Sequence, residues 1–298
     1  MGRPIRIVLV AALVGAIVIA AAGPASGAAR IAFTKEGDVW TILPSGDGIR
    51  RVTRDAVEQR AVAWSPDHRR LAWVEGERRI VVADPRGGHR RVVVRLPAPY
   101  EEVGSLAWSP RGHLLAFASA RYIEVDRGTR DCGQVWIVPV AGGPARAIVT
   151  REPHVTGVSW SPDGRWLAVG FEHQNMTVAC GGDRPLGIAL VRRDGSRLHG
   201  LGVRFGTHPD WAPDGTPIAY RDWRNTCHIC GEIWTIRPNG TDDELLAAPP
   251  PEEGGLTSPR YSPSGRRLAA HGNGLWVIDA DDGLIVRRIA RHVAWIDW

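Results

Sequence analysis

The protein has 298 residues and a formal net charge of +5 at pH 7, from 37 Lys and Arg residues against 32 Asp and Glu residues. Lys35 is the only lysine, and the arginines are scattered instead of forming runs interleaved with aromatic residues. This pattern argues against a nucleic-acid-binding surface, which would need such a basic groove.

Residues 1–28 have the pattern of a secretory signal. Arg3 and Arg6 precede an apolar, uncharged run over residues 7–22, and a small-residue segment follows, with a cleavage position after Gly27. An uncleaved membrane anchor is the alternative. Either way, we expect residues 29–298 to lie outside the cytoplasm, in the periplasm, at the cell surface or in the medium. Removing both arginines leaves a charge of +5 − 2 = +3.

One phrase recurs through the rest of the chain. Trp160-Ser161-Pro162-Asp163-Gly164 runs into a strand with a Leu-Ala pair, and related phrases begin at Trp64, Trp108, Trp211 and Tyr261. Pro fixes φ early in a turn, Asp accepts hydrogen bonds from turn amides, and Gly supplies positive φ. Each phrase therefore predicts two strands, A and B, joined by a tight turn. A third strand C and a fourth strand D follow in each repeat.

Counting the strands predicts the architecture. Strands B, C and D occur six times, but the first set, beginning at Ile31, has no strand A before it. The chain instead ends on an unpartnered strand A, which we place at His292 to Trp295. The sequence therefore predicts an all-β fold, a six-bladed β-propeller of four-stranded blades closed by the C-terminal strand.

The Trp-Ser-Pro-Asp-Gly, Leu-Ala and Val-Trp pattern resembles the WD40-like repeat called PD40, best known from the propellers of TolB proteins. The resemblance covers residues 29–298. It implies the propeller fold and an exported location, and we expect no counterpart of the smaller α/β domain that TolB proteins carry.

The recurring Asp residues read as turn chemistry and not as a site. Arg111 and Ser264 replace Asp at equivalent positions, which a shared catalytic carboxylate would not tolerate. The sequence also lacks a Gly-x-Ser-x-Gly elbow, a His-Glu-x-x-His motif and a phosphate-binding Gly-Lys-Ser/Thr loop. We therefore favour a non-catalytic binding module, without excluding an enzyme.

The connections between strands B and C differ in length. They are short in blades one, two and six, but long in blades three, four and five, where they are expected to be loops over residues 119–133, 170–185 and 221–231. These connections emerge on one face of a propeller, so they predict a raised wall for a protein, peptide or cell-envelope partner. The candidate binding residues in and beside the wall are Glu124, Asp126, His173, Asp183, His208, Trp223 and His228.

All four cysteines lie in the same wall. An exported chain with an even cysteine count favours disulfides, and blade order favours Cys132–Cys180 with Cys227–Cys230. Two alternatives stay open, a four-thiolate zinc site and a redox Cys-x-x-Cys pair. Apart from that zinc, no cofactor is expected.

The leading hypothesis is thus an exported, monomeric, non-catalytic propeller. It contacts the membrane only if residues 1–28 are retained. The alternative is a propeller-based lyase or hydrolase acting on a carbohydrate or peptide at the channel mouth, where His154, His208 and His292 are expected to lie.

Overall fold

The computed structural model describes residues 29–97, 102–125, 128–152, 154–172, 187–224, 231–249 and 253–298. These residues form 24 strands in six antiparallel sheets of four, which confirms the predicted six-bladed propeller. Among them, no helix is long and apolar enough to cross a membrane. The predicted signal segment, residues 1–28, lies outside the described residues and stays a prediction.

Each blade runs from an innermost strand A to an outermost strand D. Blade one contains β24 (Ala294–Asp297), β1 (Ile31–Lys35), β2 (Asp38–Ile42) and β3 (Arg50–Arg51). Blade two contains β4 (Gln59–Trp64), β5 (Leu71–Glu75), β6 (Arg79–Ala83) and β7 (Arg91–Arg95). Blade three contains β8 (Glu102–Trp108), β9 (Leu114–Val125), β10 (Gly128–Pro139) and β11 (Arg146–Glu152).

The other three blades follow the same order. Blade four contains β12 (His154–Trp160), β13 (Trp166–Glu172), β14 (Ile188–Arg192) and β15 (His199–Gly200). Blade five contains β16 (Thr207–Trp211), β17 (Ile218–Asp222), β18 (Glu232–Ile236) and β19 (Glu244–Ala247). Blade six contains β20 (Thr257–Tyr261), β21 (Arg267–His271), β22 (Gly274–Asp279) and β23 (Ile285–Arg291).

The C-terminal strand closes the ring as predicted. Strand β24 pairs antiparallel with β1, with Phe33 opposite Ile296 and Ala32 opposite Asp297. The Thr34 hydroxyl also donates to the Ala294 carbonyl at 2.9 Å. Because one blade is built from both ends of the described chain, the sheet edges that an open ring would expose are paired.

The core consists of six apolar clusters, one between each pair of neighbouring blades. The cluster at the closure joins Ile31 and Phe33 of blade one to Leu275 and Val277 of blade six. The second strand of each blade carries an alanine at an equivalent position, and all six alanines are fully buried: Ala32, Ala72, Ala116, Ala168, Ala219 and Ala269. Small side chains there let large neighbours from the adjacent blade interdigitate.

The predicted aromatic residue of the closing strand was wrong by three positions. In the structure Trp298, and not Trp295, occupies the position of Trp211 in blade five, because Asp297 lies at the level of Asp210. Trp298 is 9% exposed, and its indole N–H donates to the Ala29 carbonyl at 3.2 Å. Trp295 instead lies at an irregularity of β24, with a φ of 42°, and lines the central channel.

The predicted loop over residues 119–133 of blade three is in fact a β-hairpin. Strands β9 and β10 have 12 residues each and stay in register from Pro139 opposite Leu114 to Gly128 opposite Val125. The mixed apolar and polar sequence of this segment is compatible with a strand as well as with a loop. Blade three therefore projects as a regular two-stranded extension beyond the neighbouring blades' strands.

The repeated turns perform the predicted chemistry. In blade four the Ser161 hydroxyl donates to Asp163 at 2.6 Å and accepts from the Trp166 amide at 2.9 Å, while the Arg165 amide donates to Asp163 at 2.9 Å. The same serine, aspartate and amide contacts recur at Ser65 in blade two. These residues are committed to the turn.

Candidate functional site: the central channel

The six innermost strands surround a channel that is nearly closed at its middle. Each of these strands carries a register irregularity, and in four of them a non-glycine residue there adopts positive φ: Ala61, His208, Ser258 and Trp295. Bulges of this kind re-aim side chains. These four residues line a cavity of about 10 Å³, which is roughly the space for one water. The channel is therefore divided into two compartments.

We name the compartment on the face of the B–C connections the channel mouth, formed by His154, His208, Arg221 and His271. His208 belongs to β16, His271 ends β21, and Arg221 lies on β17 opposite Thr207 of β16. Arg260 of β20 lines both the constriction and the compartment on its far side, and its charge also acts on His208 and His271. Blades four, five and six thus bring five basic or imidazole groups to one side of the channel.

The electrostatics of the mouth favour neutral histidines beside charged arginines. Burial, followed by the charges of Arg260 and Arg221, lowers the pKa of His271 to about 4. Burial is also the main reason why the pKa of His208 falls well below its usual value, with Arg260 and its other basic neighbours adding to the effect. His208 and His271 therefore stay uncharged at neutral pH, because they are buried and because positive charge surrounds them.

Arg221 differs from the other arginines on this face. Arg60 is paired with Glu58 and Glu102, and Arg288 is paired with Glu253. Within the described residues, the Arg221 side chain makes no hydrogen bond or ion pair, and its buried Nε is unsatisfied. The buried Nδ1 of His208 is unsatisfied in the same way. Buried polar atoms without partners cost free energy, so the Arg221 Nε–H group suits a ligand that supplies acceptors, and His208 can donate to the same ligand in its Nδ1–H tautomer.

Trp223 supports the Arg221 guanidinium. The guanidinium carbon lies 5.0 Å from the centre of the Trp223 ring, a cation–π distance. Two predicted binding residues, His208 and Trp223, are thereby brought to the same arginine. Glu172 of blade four is the carboxylate whose charge acts on Arg221.

We name the compartment at the opposite end the cup. It has a volume of about 260 Å³ and opens on the face of the A–B turns. Six aromatic residues, one from each blade, form its wall: Trp64, Trp108, Trp160, Trp211, Tyr261 and Trp298. The residue before each aromatic also lines the cup. In blades two, three, four, five, six and one, respectively, these residues are Ala63, Ala107, Ser159, Asp210, Arg260 and Asp297.

Where this preceding residue is alanine, its carbonyl links the blades. The Trp108 indole N–H donates to the Ala63 carbonyl at 3.1 Å, and the Trp160 indole N–H donates to the Ala107 carbonyl at 3.3 Å. The ring is therefore held on this side by indole-to-backbone contacts between neighbouring innermost strands.

Where the preceding residue is polar, its side chain makes the link to the next blade's backbone. The Trp211 amide donates to the Ser159 hydroxyl at 3.0 Å, and the Tyr261 amide donates to Asp210 at 2.7 Å. The Trp64 amide donates to Asp297 at 2.6 Å. Asp297 thus fastens the closing strand to blade two.

The carboxylates of the cup are held in an environment that disfavours their charge. Burial, together with the charge of Asp210, raises the pKa of Asp297 to about 7, although Arg260 and amide hydrogen bonds act against the rise. Burial also raises the pKa of Asp210. The Arg260 Nε lies 3.7 Å from Asp297 Oδ1, too far for a hydrogen bond, so the compensation is incomplete.

The other predicted site residues are placed as follows. Cys132 lies on β10, is 4% exposed and is not a free thiol. Glu124 lies on β9, opposite Thr129. The remaining candidates lie outside the described residues, so their roles and the cysteine pairing stay predictions: Asp126, His173, Cys180, Asp183, Cys227, His228 and Cys230.

Sequence reasoning missed the polar residues of the channel. Asp210, Arg260 and Asp297 occupy the position where blades two and three have alanine, so a comparison of repeats at that one position would have revealed them. Arg221 and His271 would be revealed in the same way, because each stands two residues after the alanine of its second strand, where blades one to four have Thr34, Val74, Ala118 and Gly170. Within the described residues, no three His, Cys, Asp or Glu side chains are placed to hold a metal ion.

Comparison with known proteins supports the fold. Residues 146–183 match the WD domain, G-beta repeat family. Tricorn protease homolog 1 of Streptomyces coelicolor is 26% identical over 274 residues, which are 87% of this chain and 23% of that protein. The chain therefore spans less than a quarter of the length of this relative.

Three solved structures are similar to the propeller. TolB from Acinetobacter baumannii superposes with a TM-score of 0.67 at 17% identity, over 90% of this chain and 66% of that one. A nidogen/laminin complex gives a TM-score of 0.68 at 12% identity, covering 90% and 97%. An oligogalacturonate lyase in complex with manganese gives 0.60 at 18% identity, covering 86% and 71%. At these identities the likeness is one of fold, and the chain shares the β-propeller fold with these proteins.

Proposed function

We propose that this protein is an exported binding module that holds an acidic group of a protein, peptide or cell-envelope partner at the channel mouth. The observation that carries the proposal is the buried Arg221 Nε–H donor, which has no partner among the described residues and lies near the equally unpartnered His208 Nδ1. A carboxylate supplies two acceptor oxygens, which the Arg221 guanidinium lacks there, and a negative charge that complements its own.

The surroundings of Arg221 support a preformed site. Its guanidinium rests on Trp223, and Arg221 lies on β17, which pairs with β16 and β18 on its two sides, so little ordering is required when a ligand binds. The extended β9–β10 hairpin stands on the same face and adds a rigid flank. The connections over residues 173–186 and 225–230, which complete the proposed wall, lie outside the described residues.

The experiment is affinity capture from the extracellular and envelope fractions, using the protein, an Arg221→Gln variant and an Arg266→Gln control as baits. Arg266 is exposed near the A–B turn of blade six, so its substitution removes the same charge from the opposite face. We expect the wild type and the control to capture the same partner, and Arg221→Gln to capture at least tenfold less.

The outcome that contradicts the proposal is equal capture by all three baits. Binding retained after the partner's carboxyl groups are amidated contradicts the proposed acidic group. Circular dichroism of Arg221→Gln, compared with the wild type, establishes that a loss of capture is not a loss of fold.

An enzyme is the second candidate, and one observation favours it. Three histidines lie close together at the mouth, since the charges of His154 and His271 both act on His208. The similar oligogalacturonate lyase structure contains manganese, and the curated relative is named as a protease homolog. Incubation with oligogalacturonate, with and without Mn²⁺, and with a mixed peptide library tests this candidate, and product formation lost in His208→Gln supports it.

Export rests on the sequence of residues 1–28. Amino-terminal sequencing of protein recovered outside the cytoplasm tests it, with Ala28 expected as the first residue. Recovery only from the cytoplasm, with Met1 retained, contradicts export.

A further inference from the structure

The cup is a second cavity on the face opposite the proposed partner site, and nothing in the binding of an acidic partner uses it. Its volume of about 260 Å³ is many times the roughly 30 Å³ that one water occupies. It is walled by six aromatic side chains that are between 6% and 9% exposed, so their positions are fixed by packing on all other sides. The cup is therefore a rigid concave site.

The floor of the cup carries two carboxyl groups and one guanidinium group. Asp210 and Asp297 face a single cation, Arg260, which is 12% exposed in its side chain. When both carboxylates are ionised the floor has a formal charge of −1. The Asp297 side chain is 21% exposed, so a ligand in the cup can reach it.

Two further polar atoms of the wall are unsatisfied. The buried Tyr261 hydroxyl and the buried Trp64 indole nitrogen have no hydrogen-bond partner among the described residues. Tyr261 is 7% exposed, and burial together with the charge of Asp210 raises the pKa of its hydroxyl. A neutral hydroxyl of this kind can accept a hydrogen bond from a cationic donor.

The wall already attracts a cation from this chain. The guanidinium carbon of Arg70 lies 4.7 Å from the centre of the Trp108 ring. Aromatic faces stabilise cations by about 0.5–2 kcal/mol, and the effect grows as water is removed. An alkyl chain that ends in a positive charge matches both the wall and the floor.

We propose that the cup binds a primary alkylammonium group, with its alkyl chain against the aromatic wall and its N–H groups on Asp297 and Asp210. This proposal does not depend on the acidic partner at the mouth, because the two compartments are separated by the constriction at Trp295. A lysine side chain and a peptide amino terminus both present this chemistry.

The charge state of the floor gives the proposal a pH signature. Asp297 faces Arg260 of β20, Asp210 of β16 and the Trp64 amide of β4. Because its pKa is raised to about 7, Asp297 is about one-tenth ionised at pH 6 and almost fully ionised at pH 8.5. A lysine ammonium stays protonated over this range, so we expect binding to be about tenfold tighter at pH 8.5 than at pH 6.

The test is a calorimetric or tryptophan-fluorescence titration with three probes. These are Nα-acetyl-lysine amide, its Nε-acetylated neutral analogue, and Gly-Gly amide with a free amino terminus. We expect the lysine probe or the amino-terminal probe to bind, and the neutral analogue to bind at least tenfold more weakly. The tighter of the two charged probes at pH 7 identifies the source of the ammonium group, since an amino terminus, with a pKa of about 7.7–8.0, has lost most of its charge at pH 8.5.

Two variants complete the test. Asp297→Asn keeps an oxygen for the Trp64 amide but removes the charge, and it should weaken binding about tenfold at pH 8.5 and reduce the pH dependence to the part that Asp210 contributes. Asp281→Asn removes an exposed charge from a C–D turn of blade six and should bind like the wild type. Any one of three results with the wild type overturns the proposal, whether or not the variants fold. These are equal binding of the charged and neutral probes, absence of binding by both charged probes, and an unchanged affinity for the lysine probe between pH 6 and 8.5.

Discussion

Asp297 lies where the ring closes, and replacing it tests both the closure and the electrostatics of the cup. Its carboxylate accepts from the Trp64 amide of blade two at 2.6 Å and lies 3.7 Å from Arg260 of blade six. Asp297→Asn preserves an acceptor oxygen for Trp64 and removes the charge. The variant therefore separates the cost of the buried charge from the value of the hydrogen bond.

The magnitude follows from the pKa. A rise from the usual 3.8 to about 7 means that the folded state prefers the protonated carboxyl group. Each tenfold change in an acidity constant is worth about 1.4 kcal/mol, so ionising Asp297 lowers the free energy of unfolding by up to about 4 kcal/mol. Water in the cup screens part of this, since the side chain is 21% exposed, and we expect about 2–4 kcal/mol.

The sign is that of an acid whose pKa is raised on folding. The folded state holds the proton between pH 4 and 7 while the unfolded chain releases it, so the contribution of Asp297 to stability falls as pH rises through this window. Asp210, whose pKa is also raised, acts in the same direction. His208 and His271, whose pKa values are lowered, act in the opposite direction, because the unfolded chain takes up their protons as pH falls.

Because these contributions partly cancel in the wild type, the informative quantity is the difference between variant and wild type. Urea unfolding at pH 4, 5.5, 7 and 8 gives it directly. We expect Asp297→Asn to match the wild type near pH 4 and to be about 2–4 kcal/mol more stable at pH 8. A constant difference across this range would show that Asp297 has an ordinary pKa and would refute the reasoning.

Three further predictions concern the ring and the wall. Trp298→Ala should lower the free energy of unfolding by about 3–5 kcal/mol, since it removes a ring that is 9% exposed at the closure, as measured by urea unfolding. Gly170→Ala should cost about 1–3 kcal/mol and disturb the mouth, because a Cβ there would lie 2.9 Å from the His208 amide nitrogen, and a shifted His208 ring signal in NMR spectra would report the disturbance. If Cys132 and Cys180 are bridged as predicted, mass spectrometry after non-reducing digestion will recover their peptides joined, and a zinc equivalent bound to four free thiolates would contradict the bridge.

The sequence was sufficient to predict the fold because the same pattern of turn and strands recurs along the chain. Each Trp-Ser-Pro-Asp-Gly turn is stabilised by its own local hydrogen bonds. Because the first of the six strand sets lacks strand A, pairing of the C-terminal strand with that set is the simplest way to close the ring. The error at Trp295 has a physical cause. A tryptophan at a bulge with positive φ resembles a strand-terminal aromatic when only hydrophobicity is considered, whereas register places Trp298 there.

The candidate site was less predictable, because a channel is assembled from residues that are distant in sequence. His208 and Trp223 could be chosen as polar or aromatic residues near connections, but their meeting at Arg221 depends on how two blades pack. Asp210, Arg260 and Asp297 look like ordinary strand residues until the repeats are aligned on the aromatic that follows each of them. The raised pKa values of Asp210 and Asp297 arise mainly from burial, which only the folded ring defines.

The central claim is that the mouth recognises a carboxylate through Arg221. The most direct measurement is an isothermal titration of a tetraglutamate peptide into the wild type, Arg221→Gln and the Arg266→Gln control, with tetraglutamine as the uncharged probe. We predict that the wild type and the control bind tetraglutamate alike, that Arg221→Gln binds at least tenfold more weakly, and that tetraglutamine does not bind. Equal affinity of Arg221→Gln and the wild type for tetraglutamate, or equal binding of tetraglutamine, would contradict the claim.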